Sequence, residues 1–139
     1  MFDIINREPA DDERISMLTD YDEIFKKAGV LPNDFKHYSL VVEENKHMIG
    51  YVSGIKDHQW VFLTDIWIEA THRRQGIGSH LLNTFEEKIK ADGIKHIYLW
   101  TYGPINPNFY GKNGYDQFTV FENFYEVDGY HHYGYRKDL

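Results

Sequence analysis

The chain has 139 residues, 42% of them hydrophobic, and a formal net charge of −7; that length suits one domain, residues 1–139, with a real core and no room for a second. No apolar run is long enough to suggest a membrane span, and an acidic balance without clustered Lys and Arg argues against a nucleic-acid surface and suits a cationic partner. With no cysteine, disulfides, thiolate metal sites and a cysteinyl acyl intermediate are excluded.

Met1-Phe2-Asp3-Ile4-Ile5 has no basic region or cleavage pattern, so it is not a signal peptide; a cytoplasmic location and a first strand are expected. After Pro9, the residues Ile15, Leu18, Tyr21, Ile24 and Phe25 recur at helical spacing behind Asp11, Asp12 and Glu13, anions that favour a helix start. Gly29 stops this segment, and Thr19 and Asp20 mark a break that would divide it into two helices. Tyr38 to Glu43 and Met48 to Ile55 flank Glu44-Asn45-Lys46-His47, the pattern of an antiparallel hairpin.

The apolar run Val61 to Ile68 leads into Arg73-Arg74-Gln75-Gly76-Ile77-Gly78-Ser79, where a strand turns through glycines into a helix. Such a start presents unpaired backbone N–H groups and the positive end of the helix dipole, which together cradle a pyrophosphate. The P-loop spacing fails for want of its Lys, and the dinucleotide fingerprint fails because its third glycine is Leu81. Ile77, Leu81, Leu82, Phe85 and Ile89 form one apolar stripe, Gly93 closes the helix, and Glu86 with Lys90 reads as an exposed outer pair. Ile94 to Thr101 then reads as a strand, which completes a βαβ unit and makes the two strands parallel neighbours.

Downstream, Asn106-Pro107-Asn108-Phe109-Tyr110-Gly111-Lys112-Asn113-Gly114-Tyr115 is a short capped helix ended by glycine. The glycine corner and this segment together resemble the two signatures of the GNAT superfamily of N-acetyltransferases, Arg/Gln-x-x-Gly-x-Gly/Ala and Phe-Tyr-x-x-x-Gly-Phe/Tyr. A plain strand-to-helix turn and simple aromatic packing are the alternatives for each motif taken alone. Phe118 to Tyr125 and Tyr130 to Lys137 read as two closing strands. The resemblance implies an α+β (α/β/α) fold in one domain: a mixed, mostly antiparallel sheet of about seven strands, splayed at its centre, with about four helices.

It further implies acetyl transfer from acetyl-CoA to a primary amine by direct transfer in a ternary complex, with no metal. Arg73, Arg74, Gln75, Gly76, Ile77, Gly78 and Ser79 would hold the pyrophosphate. Ile66, Trp67 and Ile68 would pair with the pantetheine arm, the Ile66 N–H meeting the thioester carbonyl, and Asn106, Phe109 and Lys112 would complete the coenzyme site. Tyr110 would protonate the departing sulfur. A lysine-like amine is neutral to about one part in a thousand near pH 7, so a base is needed, and Asp65 and Glu69 are the candidates ahead of His58. Many relatives carry Gly where Arg74 stands, a change that looks harmless in sequence. The implied acceptor is a small-molecule or peptide amine, and related enzymes often pair through their last strands, which leaves a homodimer open. A non-catalytic acyl-CoA-binding module and an interaction protein with an aromatic tail remain alternatives. Adjacent His131 and His132 alternate across a strand and are expected to pack on an edge rather than chelate one ion.

Overall fold

Residues 1–105 and 108–139 are described in the computed structural model, and they fall into two units, Met1–Asn33 and Asp34–Leu139. The first unit contains one helix, α1 (Asp11–Lys27), with its acids in the first turn and Lys26 and Lys27 in the last. The Glu13 carboxylate accepts the Ala10 N–H at 2.8 Å and closes the helix start. The break expected near Thr19 does not occur: one helix runs through it, and the Thr19 hydroxyl donates to the Ile15 carbonyl at 2.8 Å. Gly29, at φ +78°, ends the segment. Met1 to Ile5 forms no strand, contrary to expectation. The apolar residues there are exposed, and a strand without a paired ladder leaves its backbone groups to water.

In the second unit β1 (His37–Glu44), β2 (His47–Asp57), β3 (Trp60–Ile68), α2 (Ile77–Ala91), β4 (His96–Tyr102), α3 (Asn108–Lys112), β5 (Asp116–Phe121) and β6 (His132–Asp138) follow in order. The sheet order is β1-β2-β3-β4-β6-β5. Only β3 and β4 run parallel among the paired strands, as a crossover connection through α2 requires. The α+β class and mixed sheet therefore stand, with six strands and three helices among the described residues. The expected seventh strand is the amino-terminal one, and the fourth helix is the break that α1 does not make.

Asn45 and Lys46, at φ 51° and 62°, form the two-residue turn between β1 and β2, whose twist matches that of the flanking strands. Two features of β3 shape the site. Ser53 faces Asp65 while Gly54 faces Leu63, so Thr64 is an extra residue and β3 bulges there. The bulge shifts the inward phase from Val61 and Leu63 to Ile66 and Ile68, a slip visible as a broken alternation in the sequence. Pairing with β4 covers only Trp60 to Phe62. Beyond Phe62 the two strands part, and the backbone of β3 on that side is left without a ladder.

The helix α2 packs the buried Leu81, Leu82, Phe85 and Ile89 against Val52, Val61, Ile97 and Leu99 of the sheet. Gly54 permits this contact, since a Cβ there would lie 2.7 Å from Val61 and 3.0 Å from Phe85. Glu86 is not on an outer face as expected; it is buried at 6% exposure and paired with Lys137 at 2.6 Å. The closing strands also differ from expectation. The edge is β5, while β6 lies inside the sheet, and His132 stacks on Trp100 with centroids 5.0 Å apart. The His131 ring nitrogen Nδ1 instead accepts the Asn123 N–H at 2.9 Å.

Candidate active site

Where β3 and β4 part, a cleft of about 490 Å³ opens, within the usual range for small-molecule sites. Its walls come from the end of β3 (Ile66, Trp67, Ile68), the turn after it, the first residues of α2, and Phe109, Tyr110 and Lys112 of α3. Gly76 sits at φ +80° and closes the turn ahead of α2. The His80 N–H reaches the Gly76 carbonyl at 3.1 Å, so the N–H groups of Ile77, Gly78 and Ser79 precede the first intrahelical bond and remain donors. A Cβ on Gly78 would lie 3.3 Å from the Phe109 ring. The glycine thus lets α3 approach the helix start.

The two arginines of the corner differ. Arg73 donates its Nε–H to the Ile68 carbonyl at 2.8 Å, tying the turn to the end of β3 while its remaining guanidinium nitrogens stay available. Arg74 holds φ +62°, a left-handed conformation that favours glycine. A side chain at this position is therefore strained, which the sequence did not reveal. Gln75 does not line the cleft. Its side chain turns back to the Thr71 carbonyl at 3.5 Å and borders a second groove, between β1 and α2.

Tyr110 is 6% exposed and lines the cleft. Burial pushes its phenol up to about 12. No buried side-chain polar atom lacks a hydrogen-bond partner among the described residues. Asn106 lies outside the described residues.

Neither carboxylate candidate lines the cleft. Asp65 stands beside the bulge, exposed, and accepts the Ser53 hydroxyl at 3.1 Å. Glu69 is engaged elsewhere, 3.1 Å from His72 Nδ1 and 3.5 Å from His47 Nε2. His58 occupies the β2–β3 turn at φ 55°. That turn is the far end of β3, roughly 20 Å of strand rise from Ile66, so His58 is remote from the cleft. Tyr38 belongs to the core: it is 2% exposed, with its hydroxyl on Asp92 at 3.0 Å.

Two lining residues were missed in the sequence, His72 and Ile105. His72 precedes the motif and bridges Glu44 at 3.2 Å and Glu69 at 3.1 Å. Nothing in a single sequence pairs His72 with Glu44, 28 positions away.

The sequence profile of the Acetyltransferase (GNAT) family matches residues 1–115. The chain belongs to that family. Its fold is shared with an acetyltransferase from Bacillus cereus, 23% identical over 98% of both chains at a TM-score of 0.78. It is shared also with an aminoglycoside 6'-N-acetyltransferase complexed with coenzyme A, 17% identical over 97% of both chains at 0.66. At these identities the likeness is one of fold. A protein of Xenopus tropicalis named "Probable N-acetyltransferase 14" is 41% identical over 46 residues, which span 33% of this chain and 22% of the relative. No described helix is long and apolar enough to cross a membrane.

Proposed function

We propose that the chain is an N-acetyltransferase that moves the acetyl group of acetyl-CoA directly to a primary amine. The observation that carries this reading is a single cleft in which unpaired β3 backbone, the open start of α2 and the Tyr110 phenol share one wall. The coenzyme diphosphate rests on the N–H groups of residues 76–79, helped by Arg74 and Lys112, and the pantetheine arm lies along Ile66 to Ile68 as an added strand. Phe109 packs beside it. The Ile66 N–H donates to the thioester carbonyl, where a preorganised donor is worth about 3 to 4 kcal/mol as negative charge develops on oxygen.

Asp65 is the better base of the two carboxylates, because it adjoins Ile66 at the bulge while Glu69 is held between two histidines. It removes the proton of the acceptor ammonium through water. The free amine attacks the carbonyl carbon, the C–S bond breaks, and the sulfur leaves as thiolate. Tyr110 donates to that sulfur. With its phenol at about 12, full transfer to a thiolate whose conjugate acid lies near 8.5 is uphill by about 5 kcal/mol. Tyr110 therefore acts first as a hydrogen-bond donor to developing charge, and the thiol proton is settled by exchange with solvent.

Thiol release from acetyl-CoA across a broad amine panel tests the reading. Turnover with at least one amine is expected, and Asp65→Asn should flatten the rising limb of the pH profile while Glu69→Gln leaves it in place. Tight coenzyme binding without turnover on any amine would identify a binding module instead.

A further inference from the structure

The proposed mechanism asks α3, a five-residue helix, to hold Tyr110 against the cleft, and a helix that short has little stability of its own. Its anchorage lies elsewhere. Glu86 on α2 is 6% exposed and accepts two hydrogen bonds: from the Lys137 ammonium on β6 at 2.6 Å and from the Tyr115 hydroxyl at 2.9 Å. Lys137 donates in addition to the Asn113 carbonyl at 2.9 Å. The Asn113 side-chain amide donates to the Phe109 carbonyl at 2.7 Å. The backbone N–H groups of Asn113 and Tyr115 both reach the Tyr110 carbonyl at 3.0 Å.

Two tethers from one partly buried ion pair thus end on residues 113 and 115, and both of those residues grip the Tyr110 backbone. The pair is also enclosed by packing. The Lys137 stem crosses Gly114, whose φ is +86° and where a Cβ would sit 3.4 Å from Lys137 Cε. Its ammonium lies 5.5 Å from the centre of the Tyr115 ring, and that ring stands 5.8 Å from Tyr110's. Burial and the neighbouring Glu86 carboxylate raise Tyr115 far above the ordinary phenol range, so it remains the donor in its bond to Glu86.

We infer that Glu86 and Lys137 are positioning residues for the coenzyme cleft: the pair fixes the turn 108–115 so that Phe109 and Tyr110 face the start of α2. This rests on the acetyl-CoA reading of the cleft. An ion pair with one buried partner is weak evidence for stability, because well-packed neutral groups often serve as well. Its worth here lies in direction, since charged hydrogen bonds fix an orientation that apolar contact does not.

The test compares wild type, Glu86→Gln, the neutral double variant Glu86→Gln/Lys137→Met, and the conservative Lys137→Arg. Three quantities are measured: melting temperature, amide hydrogen exchange, and acetyl-CoA affinity by calorimetry. The double variant should melt within a few degrees of wild type, exchange faster at Asn113, Gly114 and Tyr115 but not along α2, and bind acetyl-CoA about tenfold more weakly or worse, as small misplacements in preorganised sites do. Lys137→Arg should restore most of the affinity. Unchanged exchange at 113–115, affinity within twofold of wild type, or equal loosening of α2 would each overturn the positioning role. Should the double variant fail to fold, Glu86→Gln decides by the same measurements, because it keeps an acceptor for Tyr115. A wild-type protein that ignores acetyl-CoA would overturn the coenzyme reading, while the exchange data would still judge what the pair holds.

Discussion

Arg74 shows how a single residue can satisfy a motif and strain the backbone at once. Its φ of +62° places a Cβ where glycine has none, at a cost of about 1 kcal/mol. Arg74→Gly should therefore raise stability by about 1 kcal/mol in denaturant unfolding. If its guanidinium meets a phosphate, acetyl-CoA affinity should fall at the same time and lose part of its salt dependence. Tyr110 makes the complementary case, where burial alters chemistry. Its folded phenol, at about 12, lies above the unfolded value near 10, so the folded state binds the proton more tightly. That stability is present in full below pH 10 and lost as pH rises from about 10 towards 12, on the order of 2 to 3 kcal/mol. Tyr110→Phe should lose this alkaline sensitivity, and should lower kcat by about 100-fold while changing coenzyme affinity little.

At the scale of elements, the site is made by one bulge and one parting of strands. Thr64 takes the extra place on β3, turns Ile66 and Ile68 inward, and leaves Asp65 exposed beside the bulge. β4 leaves β3 after Phe62, which frees main-chain donors that a continuous ladder would have used. The start of α2 completes the arrangement only if α3 can come close. Gly78→Val would put β-branched bulk against Phe109, already 3.3 Å from a single added Cβ. The variant should lose the acetyl-CoA-induced rise in melting temperature, which in wild type corresponds to about 2.7 kcal/mol at a hundredfold excess over Kd. A fully retained shift would place the diphosphate elsewhere.

At the scale of the whole molecule, charge sets the approach of ligands. A net charge of −7 repels an anionic coenzyme and draws a cationic amine, and the proposed cradle would act against that field. Raising ionic strength from 50 to 500 mM should lower kcat/KM for a cationic amine several-fold while leaving that for a neutral-side-chain amine nearly constant. Equal salt responses would remove electrostatic steering from the account.

The sequence by itself determined what local spacing can encode: the βαβ unit, the glycine corner, the Phe109-Tyr110 turn, the β1–β2 hairpin and the inward stripe of α2. Each follows from period, capping and turn chemistry within about fifteen residues. Tertiary structure decided whatever depends on partners distant in the chain. Glu86 looked like one half of an exposed pair with Lys90 and became a buried ligand of Lys137, 51 positions away. Tyr38 takes its place in the core through Phe85 and Asp92, which meet it from distant positions in the chain. Met1 to Ile5 stayed out of regular structure, and β6 rather than β5 took the inner place, because strand pairing is settled by which edges meet and not by the residues of one strand alone.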